Sequence, residues 1–516
     1  MSDSTMSAEG LLVKINAGAE KSTLQAIKQR LGGDMRSNRL CQELLWYHVK
    51  ARKVVKKDVG KVFDVAHDLL DIPGILVVEP NLVISEKQRE PLIDYADDAK
   101  TNGEYRWHIE KVKACDARNE FSVTGEGVRV AHLDTGYTKH PELVIGTSVR
   151  ADLGHNFYED KEDPLEPLKT IDEGHGTATA SVLVGLPGKQ HQEADPAFVE
   201  GVAPGAELVP IRVDEDVWWT DVNPAKDVPG ILHALKHECL VLSMSRSGSD
   251  YASLQDAIRL AASRGTIVVA AAGNCKPWCR IFSPANYPEV VCAAGSTFDM
   301  TPWEGSSRGP AVTIAAPAWS VYRARTVKKN NAYAFDVARS YGTSYATPIV
   351  AGAAALWVQR HGGAAALAEQ LKGRERIPVA FKYLLGKTAQ SGKDWDTLQF
   401  GPGILDCLKL LSADLPKPED IPTIERDLRS QSKASRAGLA ELVLSDRISV
   451  ADDPRAVHLY SLEIEAAGIR SDQFAALLEA GMKEPSTAGE VRVDGLAETL
   501  TKAHLISTAL RRKLKS

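Results

Sequence analysis

The sequence predicts an α/β protein: a doubly wound parallel sheet, preceded by a small α+β domain and followed by a helical region. Three observations predict it. Between Trp107 and Ala413 short apolar runs alternate with helical patterns. Those runs are apolar throughout, as expected of strands buried on both faces. Strand–helix alternation in turn implies right-handed crossovers, which build a parallel sheet. With 516 residues the chain is too long for one ordinary core, so two or three domains are expected.

Taken in order, the first region runs from residue 1 to 86. A strand "LLVKINAG" leads into a helix "EKSTLQAIKQRLGG", for which Ser22 and Thr23 are plausible starters and Gly32 a stop. A strand around "WYHVKARKVV", a helix "VGKVFDVAHDLLDIPG" and a strand "ILVVEPNLVI" follow. The order β-α-β-α-β suggests two helices on a small sheet, an α+β domain of ferredoxin-like kind. Residues 87–106 belong to a polar, acidic stretch without apolar periodicity and read as a linker. Residues 107–413 carry the runs "VRVAHLD", "ELVPIRV", "CLVLSMS", "TIVVAAAG" and "VVCAAGS", separated by helical patterns such as "LQDAIRLAASRG". In such a sheet the functional crevice lies at the carboxyl ends of the strands. Residues 414–516 open on "LPKPEDIP", whose prolines mark a second linker, and continue as helical patterns including "SDQFAALLEAGM" and "GLAETLTKAHLISTALRRKL".

Composition narrows the class. The chain is 44% hydrophobic and 25% charged with a net charge of −6, which provides no basic field for nucleic acid. Its longest apolar candidate, "PIVAGAAALWVQR", falls short of the roughly 20 residues needed to span a bilayer. The start, "MSDSTMSAEG", lacks the basic and apolar blocks of a secretory signal. Seven cysteines are few and odd in number. Together these point to a reducing compartment and a cytoplasmic location, with export by another route left open.

Four polar residues sit where apolar elements end or begin. "VRVAHLDTG" delivers Asp134 past a strand, "DEGHGTATAS" places His175 between two glycines at a helix start, "VVAAAGN" ends on Asn274, and "GTSYATPIVAG" opens a small-residue helix at Ser344. The types suit one chemistry. A serine hydroxyl needs a base to take its proton as it attacks. Histidine titrates near neutral pH and fits that task. A buried carboxylate fixes the imidazole tautomer. An amide and a helix N-terminus can hold the oxyanion that forms.

With these motifs the chain resembles the subtilisin-like serine proteases, or subtilases. The resemblance spans most of Trp107 to Leu411 and includes "GVAPGAEL", "SSRGP" and the closing "FGPGILD". It implies that Asp134 orients, His175 acts as base and acid, Ser344 is the nucleophile, and Asn274 supplies an oxyanion-hole side chain. It also implies an edge for an extended substrate strand along Ser243, Met244, Ser245 and Arg246, completed by Ala272 and Gly273. Where the family continues "GHGT" with His-Val-Ala-Gly, this chain reads "ATAS", which alters the packing behind His175. Arg246 replaces an apolar residue of the substrate edge; it either selects polar or acidic side chains at a subsite or faces solvent. The first region resembles the inhibitory prodomain of many subtilases. That likeness implies an intramolecular inhibitor whose tail follows Val83, with cleavage between Ser85 and Tyr105.

Other features carry less. Cys275 and Cys279 in "NCKPWC" read as a loop-closing disulfide or two thiols, and the reducing compartment favours thiols. His132 falls on the same strand face as Asp134 and reads as a supporting histidine. No cofactor is expected in the chemistry; calcium stabilises many relatives, but no ligand set is assigned here. The expected activity is that of a serine endopeptidase on extended peptides, made as a latent precursor. A peptide-binding scaffold with a plugged cleft is the rival, and the presence of all four positions argues against it.

Overall fold

The computed structural model of the chain describes residues 6–84, 103–168, 174–186, 198–215, 217, 222–275, 279–329, 332–435, 443–444, 447, 452–468, 496–501, 503 and 506–515. The first region runs β1 (Met6–Ile15), α1 (Glu20–Leu31), β2 (Arg36–Cys41), β3 (Trp46–Lys50), β4 (Val55–Lys56), α2 (Val59–Leu69) and β5 (Ile75–Ile84). β1 is central: β5 pairs on one side, β3 and the short β4 on the other, and β2 adds outside β3, all antiparallel. The expected β-α-β-α-β order thus gains two strands, β2 and the short β4. β2 is "RSNRLC", mostly exposed, and has no apolar run to announce it. The four longer strands lie in the order β2-β3-β1-β5, the arrangement of a split βαβ fold.

The start of α1 departs from the expected cap, whereas its end agrees with the expected stop. The helix begins at Glu20, so Ser22 and Thr23 lie in its first turn, and the Thr23 hydroxyl donates instead to the Pro73 carbonyl at 3.0 Å. Gly32 does stop it, at φ 116°, with its N–H on the Lys28 carbonyl.

After α3 (Trp107–Lys111) and α4 (Ala114–Phe121) comes the principal sheet: β6 (Arg129–Asp134), β7 (His155–Asn156), β8 (Glu207–Arg212), β9 (Val241–Met244), β10 (Ile267–Ala271), β11 (Val290–Ser296) and β12 (Ile314–Pro317). All neighbours are parallel, in the order β12-β11-β10-β9-β6-β8-β7. α5 (His175–Val184), α6 (Pro224–Lys236) and α7 (Ala252–Ser263) connect them, confirming the doubly wound α/β reading. The chain leaves β8 on one side of β6 and returns as β9 on the other. The winding therefore reverses at β6 and β9, and a crevice opens at their carboxyl ends. A hairpin, β13 (Val321–Lys329) and β14 (Ala332–Ser340), follows β12 and leads directly into α8 (Thr343–Arg360). Its alternating charged and apolar residues form a two-stranded sheet of its own rather than a buried run.

The first region packs on α6 and α7. Leu12 and Trp46 are buried against Ala225, and Asp256 of α7 receives Lys14 Nζ at 2.6 Å and Trp46 Nε1 at 2.9 Å. The C-terminal region folds back over the same domain. Helix Pro454–Gly468 lies on α2 and β5, with Leu459, Leu462 and Ala466 in the shared core. Helices Leu496–Thr501 and Thr508–Lys515 continue it, and Thr508 caps onto Asp64 of α2 (N to Oδ1, 2.8 Å). The pattern "SDQFAALLEAGM" lies outside the described residues.

One buried carboxylate joins the three parts. Glu79 of β5 is fully buried and accepts from Ala252 N at 2.5 Å, Ser253 N at 3.3 Å and Ser253 Oγ at 2.8 Å, the first turn of α7. Its Oε1 also lies 2.7 Å from His458 Nε2 of the C-terminal helix. α7 has no side-chain cap of its own, so Glu79 supplies one from another domain. Replacing Glu79 with Ala strands several buried donors and is expected to cost about 3 kcal/mol. Scanning calorimetry should then show a melting temperature several degrees lower, and Glu79→Gln, which keeps one acceptor, should lose less.

Candidate active site

Asp134 is the last residue of β6 and is fully buried. Its Oδ1 accepts from Thr135 N at 2.8 Å and lies 2.8 Å from His175 Nδ1. Burial alone would push this carboxyl up. The charge and hydrogen bond of His175, helped by His132 and the Thr135 N–H, outweigh burial and hold it down at about 2. The pair therefore consists of an ionised carboxylate and a ring whose Nδ1 carries the proton that bonds it.

His175 opens α5 between Gly174, at φ 82°, and Gly176. A side chain at Gly176 would place its Cβ 2.1 Å from the Gly136 carbonyl, so only glycine lets the helix start approach the turn after β6. Glu166 clamps the same approach. Its Oε1 accepts from Gly174 N at 2.8 Å and its Oε2 from the Thr135 hydroxyl at 2.9 Å, while Thr135 Oγ1 accepts from Gly176 N at 2.9 Å. Burial pushes the Glu166 carboxyl up to about 7 against these donors. Beneath them Arg212 is buried, with Nη1 on the Thr135 carbonyl at 2.5 Å. Thr135 and Arg212 carry no signal in the sequence, and Glu166 lies in the acid run "YEDKEDPLEP", which reads as a solvated loop; the structure instead buries Glu166, because Gly174 N and the Thr135 hydroxyl need its acceptors.

Ser344 is the second residue of α8 and is partly exposed. Its carbonyl accepts from Ser245 Oγ at 2.9 Å, which fixes the helix start against the end of β9. Asn274 follows β10. Its Oδ1 accepts from Thr343 N at 3.1 Å and Thr343 Oγ1 at 3.0 Å, so the amide is anchored to α8 through its oxygen and its NH2 is turned the other way. α8 packs against α5 and against β9, β10 and β11. The structure thus places Asp134 and His175 in contact, and ties Asn274 and Ser245 to the turn that carries Ser344.

The residues read as a substrate edge divide. Ser243 pairs with Val269 and His132, and Met244 with Ala270, so both lie inside the sheet with neighbours on the ladder. On the β6 side the ladder ends at Ser243, so an open edge can begin only beyond it. Ala272 N donates to Ala293 O at 2.9 Å, while Gly273 N–H donates to Thr343 Oγ1 at 3.2 Å and the Gly273 carbonyl accepts from Ser307 N at 2.8 Å. Arg246 neither lines a subsite nor faces solvent. Its side chain is fully buried, with Nη1 on Asp227 Oδ1 and Nη2 3.2 Å from Asp214 Oδ2. The cause is Asp227, itself buried in the first turn of α6, which needs a counter-charge. Cys275 and Cys279 form a disulfide rather than the favoured pair of thiols; their Cα atoms lie 4.1 Å apart.

Residues 125–403 match the model of the Subtilase family. The alkaline protease of Alkalihalobacillus alcalophilus is 31% identical over 307 residues, 58% of this chain and 72% of its own length. Subtilisin Savinase of Lederbergia lenta is 33% identical over 260 residues, 49% of this chain and 84% of its own. Among solved structures, fervidolysin from Fervidobacterium pennivorans, a keratinolytic enzyme related to subtilisin, shares the fold with a TM-score of 0.59 at 22% identity. That likeness covers 81% of this chain and 62% of fervidolysin, so this chain spans under two thirds of that relative. A protease from Pseudoalteromonas arctica aligns with a TM-score of 0.50 at 25% identity, over 60% of this chain and 97% of its own. The chain belongs to the subtilase family and is a subtilisin-like serine protease.

The Arg246 pair yields a direct expectation. Burial pushes the Asp227 carboxyl up, to about 6, and the guanidinium keeps it from rising further. Arg246→Leu removes that restraint and leaves a buried acid unpaired, at a cost of about 3–5 kcal/mol. Because the stranded acid folds most readily when protonated, the variant should be least impaired at low pH and lose stability as pH rises through the now higher carboxyl titration. Thermal melts across pH would show this, while the cleavage profile of the surviving enzyme on a peptide library stays that of the parent.

Proposed function

We propose that the chain is an endopeptidase acting through an acyl-enzyme on extended peptide segments, with Ser344 as nucleophile, His175 as general base and acid, and Asp134 as the orienting carboxylate. The observation that carries this reading is the 2.8 Å contact of Asp134 Oδ1 with His175 Nδ1, on a helix that packs against α8, whose start is anchored by Asn274 and Ser245. In the first half-reaction the Ser344 proton passes to His175 Nε2 as Oγ bonds the carbonyl carbon. The oxyanion is held by Asn274 Nδ2 and the N–H groups that open α8. The C–N bond then breaks, the leaving amine takes the proton from His175, and water repeats the sequence to release the acyl group.

The first region is proposed as an intramolecular inhibitor in a latent precursor. What supports it is the docking of its sheet on α6 and α7, with Glu79 capping α7. The expected tail and cleavage stretch after Ser85 lie outside the described residues up to Asn102. The C-terminal helices are proposed to hold this domain in place, since Arg455 Nη1 bonds the Ile75 carbonyl at 2.9 Å and Glu465 Oε2 accepts from Asp250 N of the peptidase body at 3.1 Å.

A fluorophosphonate probe tests the chemistry: it should label Ser344 after the first region is released and leave Ser344→Ala unlabelled. Sequencing of new N-termini on incubation tests latency, and a Ser344→Ala protein processed like the parent would exclude self-cleavage. Asn274→Leu should lower kcat by about 100- to 1000-fold with little change in KM, the scale of losing such a donor in subtilisin.

A further inference from the structure

Behind Asp134 the helix α5 and the strand β6 share a buried polar contact that the triad reading does not use. His132 stands two residues before Asp134 on β6 and is 1% exposed; Thr179 stands one turn after His175 on α5 and is fully buried. His132 Nε2 lies 3.0 Å from Thr179 Oγ1. Thr179 Oγ1 lies 3.4 Å from Asp134 Oδ2, 3.0 Å from the His175 carbonyl and 3.3 Å from the Gly176 carbonyl. His132 Nε2 itself is 3.8 Å from Asp134 Oδ2, beyond hydrogen-bond reach. We propose that His132 and Thr179 act as a positioning pair, holding the Asp134 oxygen that does not contact His175 and tying it to the start of α5.

Proton placement supports this. His132 Nδ1 is buried and has no hydrogen-bond partner among the described residues. A proton there would bury an N–H without an acceptor, whereas a bare lone pair costs less. The proton therefore sits on Nε2 and is donated to Thr179 Oγ1. With that lone pair occupied, the hydroxyl directs its own proton towards Asp134 Oδ2 and the His175 carbonyl, and the charged oxygen is the stronger acceptor. Oδ1 already takes Thr135 N and His175 Nδ1. A donor on Oδ2 stops the carboxylate from rotating and so fixes the plane in which the imidazole is held. Burial pushes His132 below the ordinary histidine range, which keeps it neutral in this role. The position is one where the family's His-Val-Ala-Gly has valine, a residue that cannot donate. The departure "ATAS" thus brings in a polar device together with its partner on β6.

The pair rests on the triad reading, and the test separates the two. The variants are Thr179→Val, Thr179→Ser and His132→Leu, with Asp134→Asn as reference, assayed as kcat and KM against pH on a peptide substrate. Thr179→Val is expected to lower kcat about tenfold at nearly constant KM. It should also move the acid limb of the profile to higher pH, because losing a donor dipole leaves a more negative potential at the His175 ring. The other ionisable groups near this carboxylate, Glu166 and Arg212, are unchanged in all variants. Thr179→Ser should restore both kcat and the acid limb. His132→Leu should shift the limb the same way, and the double variant should match Thr179→Val alone. If His132→Leu does not fold, the near-isosteric Thr179 series decides. A Thr179→Val enzyme with the parent's kcat and acid limb overturns the pair while Asp134→Asn remains inactive; an active Asp134→Asn overturns the triad reading itself.

Discussion

The packing of α8 through the middle of the peptidase body is the constraint from which the rest of the structure follows. From Tyr345 to Val358 every side chain of this helix is buried. A helix buried all round can be placed only by close contact, and its small residues permit it: a Cβ at Gly352 would meet Val202 Cβ at 2.7 Å. Lateral placement fixes axial placement too, because the helix is pinned at its first residues by Asn274 from β10 and Ser245 from β9. The serine at the helix start thus owes its position to an apolar core and three hydrogen bonds, and strand and helix cannot shift independently.

The polar half of the site is built on a different principle. Asp134 and Glu166 are both buried beside Thr135, yet their environments push them apart. The imidazole holds Asp134 at about 2, while burial raises Glu166 to about 7. Their contributions to stability have opposite signs with pH. Asp134 stabilises the fold above the ordinary carboxylate range and loses that effect as pH falls towards 2. Glu166 binds its proton more tightly in the fold than in the unfolded chain, so its contribution is full in acid and fades as pH rises through about 7. A charge is kept where the ring must be oriented, and a hydrogen-bond collector is kept where two backbone turns must meet.

How much of this was legible in the sequence depends on the kind of signal. Five strands of the parallel sheet were readable because burial on both faces makes them continuous apolar runs. β7, with two residues, and β2, exposed and polar, leave no such mark. Asp134, His175, Asn274 and Ser344 were readable because each breaks an apolar pattern at an element boundary. The burial of Arg246 leaves no local trace, because its partner Asp227 lies nineteen residues earlier in the chain. His132 reads in the sequence as a supporting histidine and Thr179 only as part of a departure, since their meeting depends on α5 crossing β6. Contacts between elements far apart in sequence have no one-dimensional trace.

The same limit hid the association of the chain's two ends. Glu79 would be an ordinary acid in a strand were it not aimed at the bare first turn of α7, whose amides need an acceptor. His458 then approaches the same carboxylate from a helix nearly four hundred residues later. That helix brings its own buried acids: Glu463 accepts from Ser507, and Glu465 accepts from the Asp250 N–H, with burial raising its carboxyl to about 7. The first domain is therefore held by contacts on two sides, and neither set passes through the segment that joins it to the peptidase body. Cutting that segment removes a tether but leaves every one of these hydrogen bonds and the apolar surface beneath them in place. Separating the first domain from the peptidase body then requires that its contacts with α7 and with the C-terminal helices both be broken.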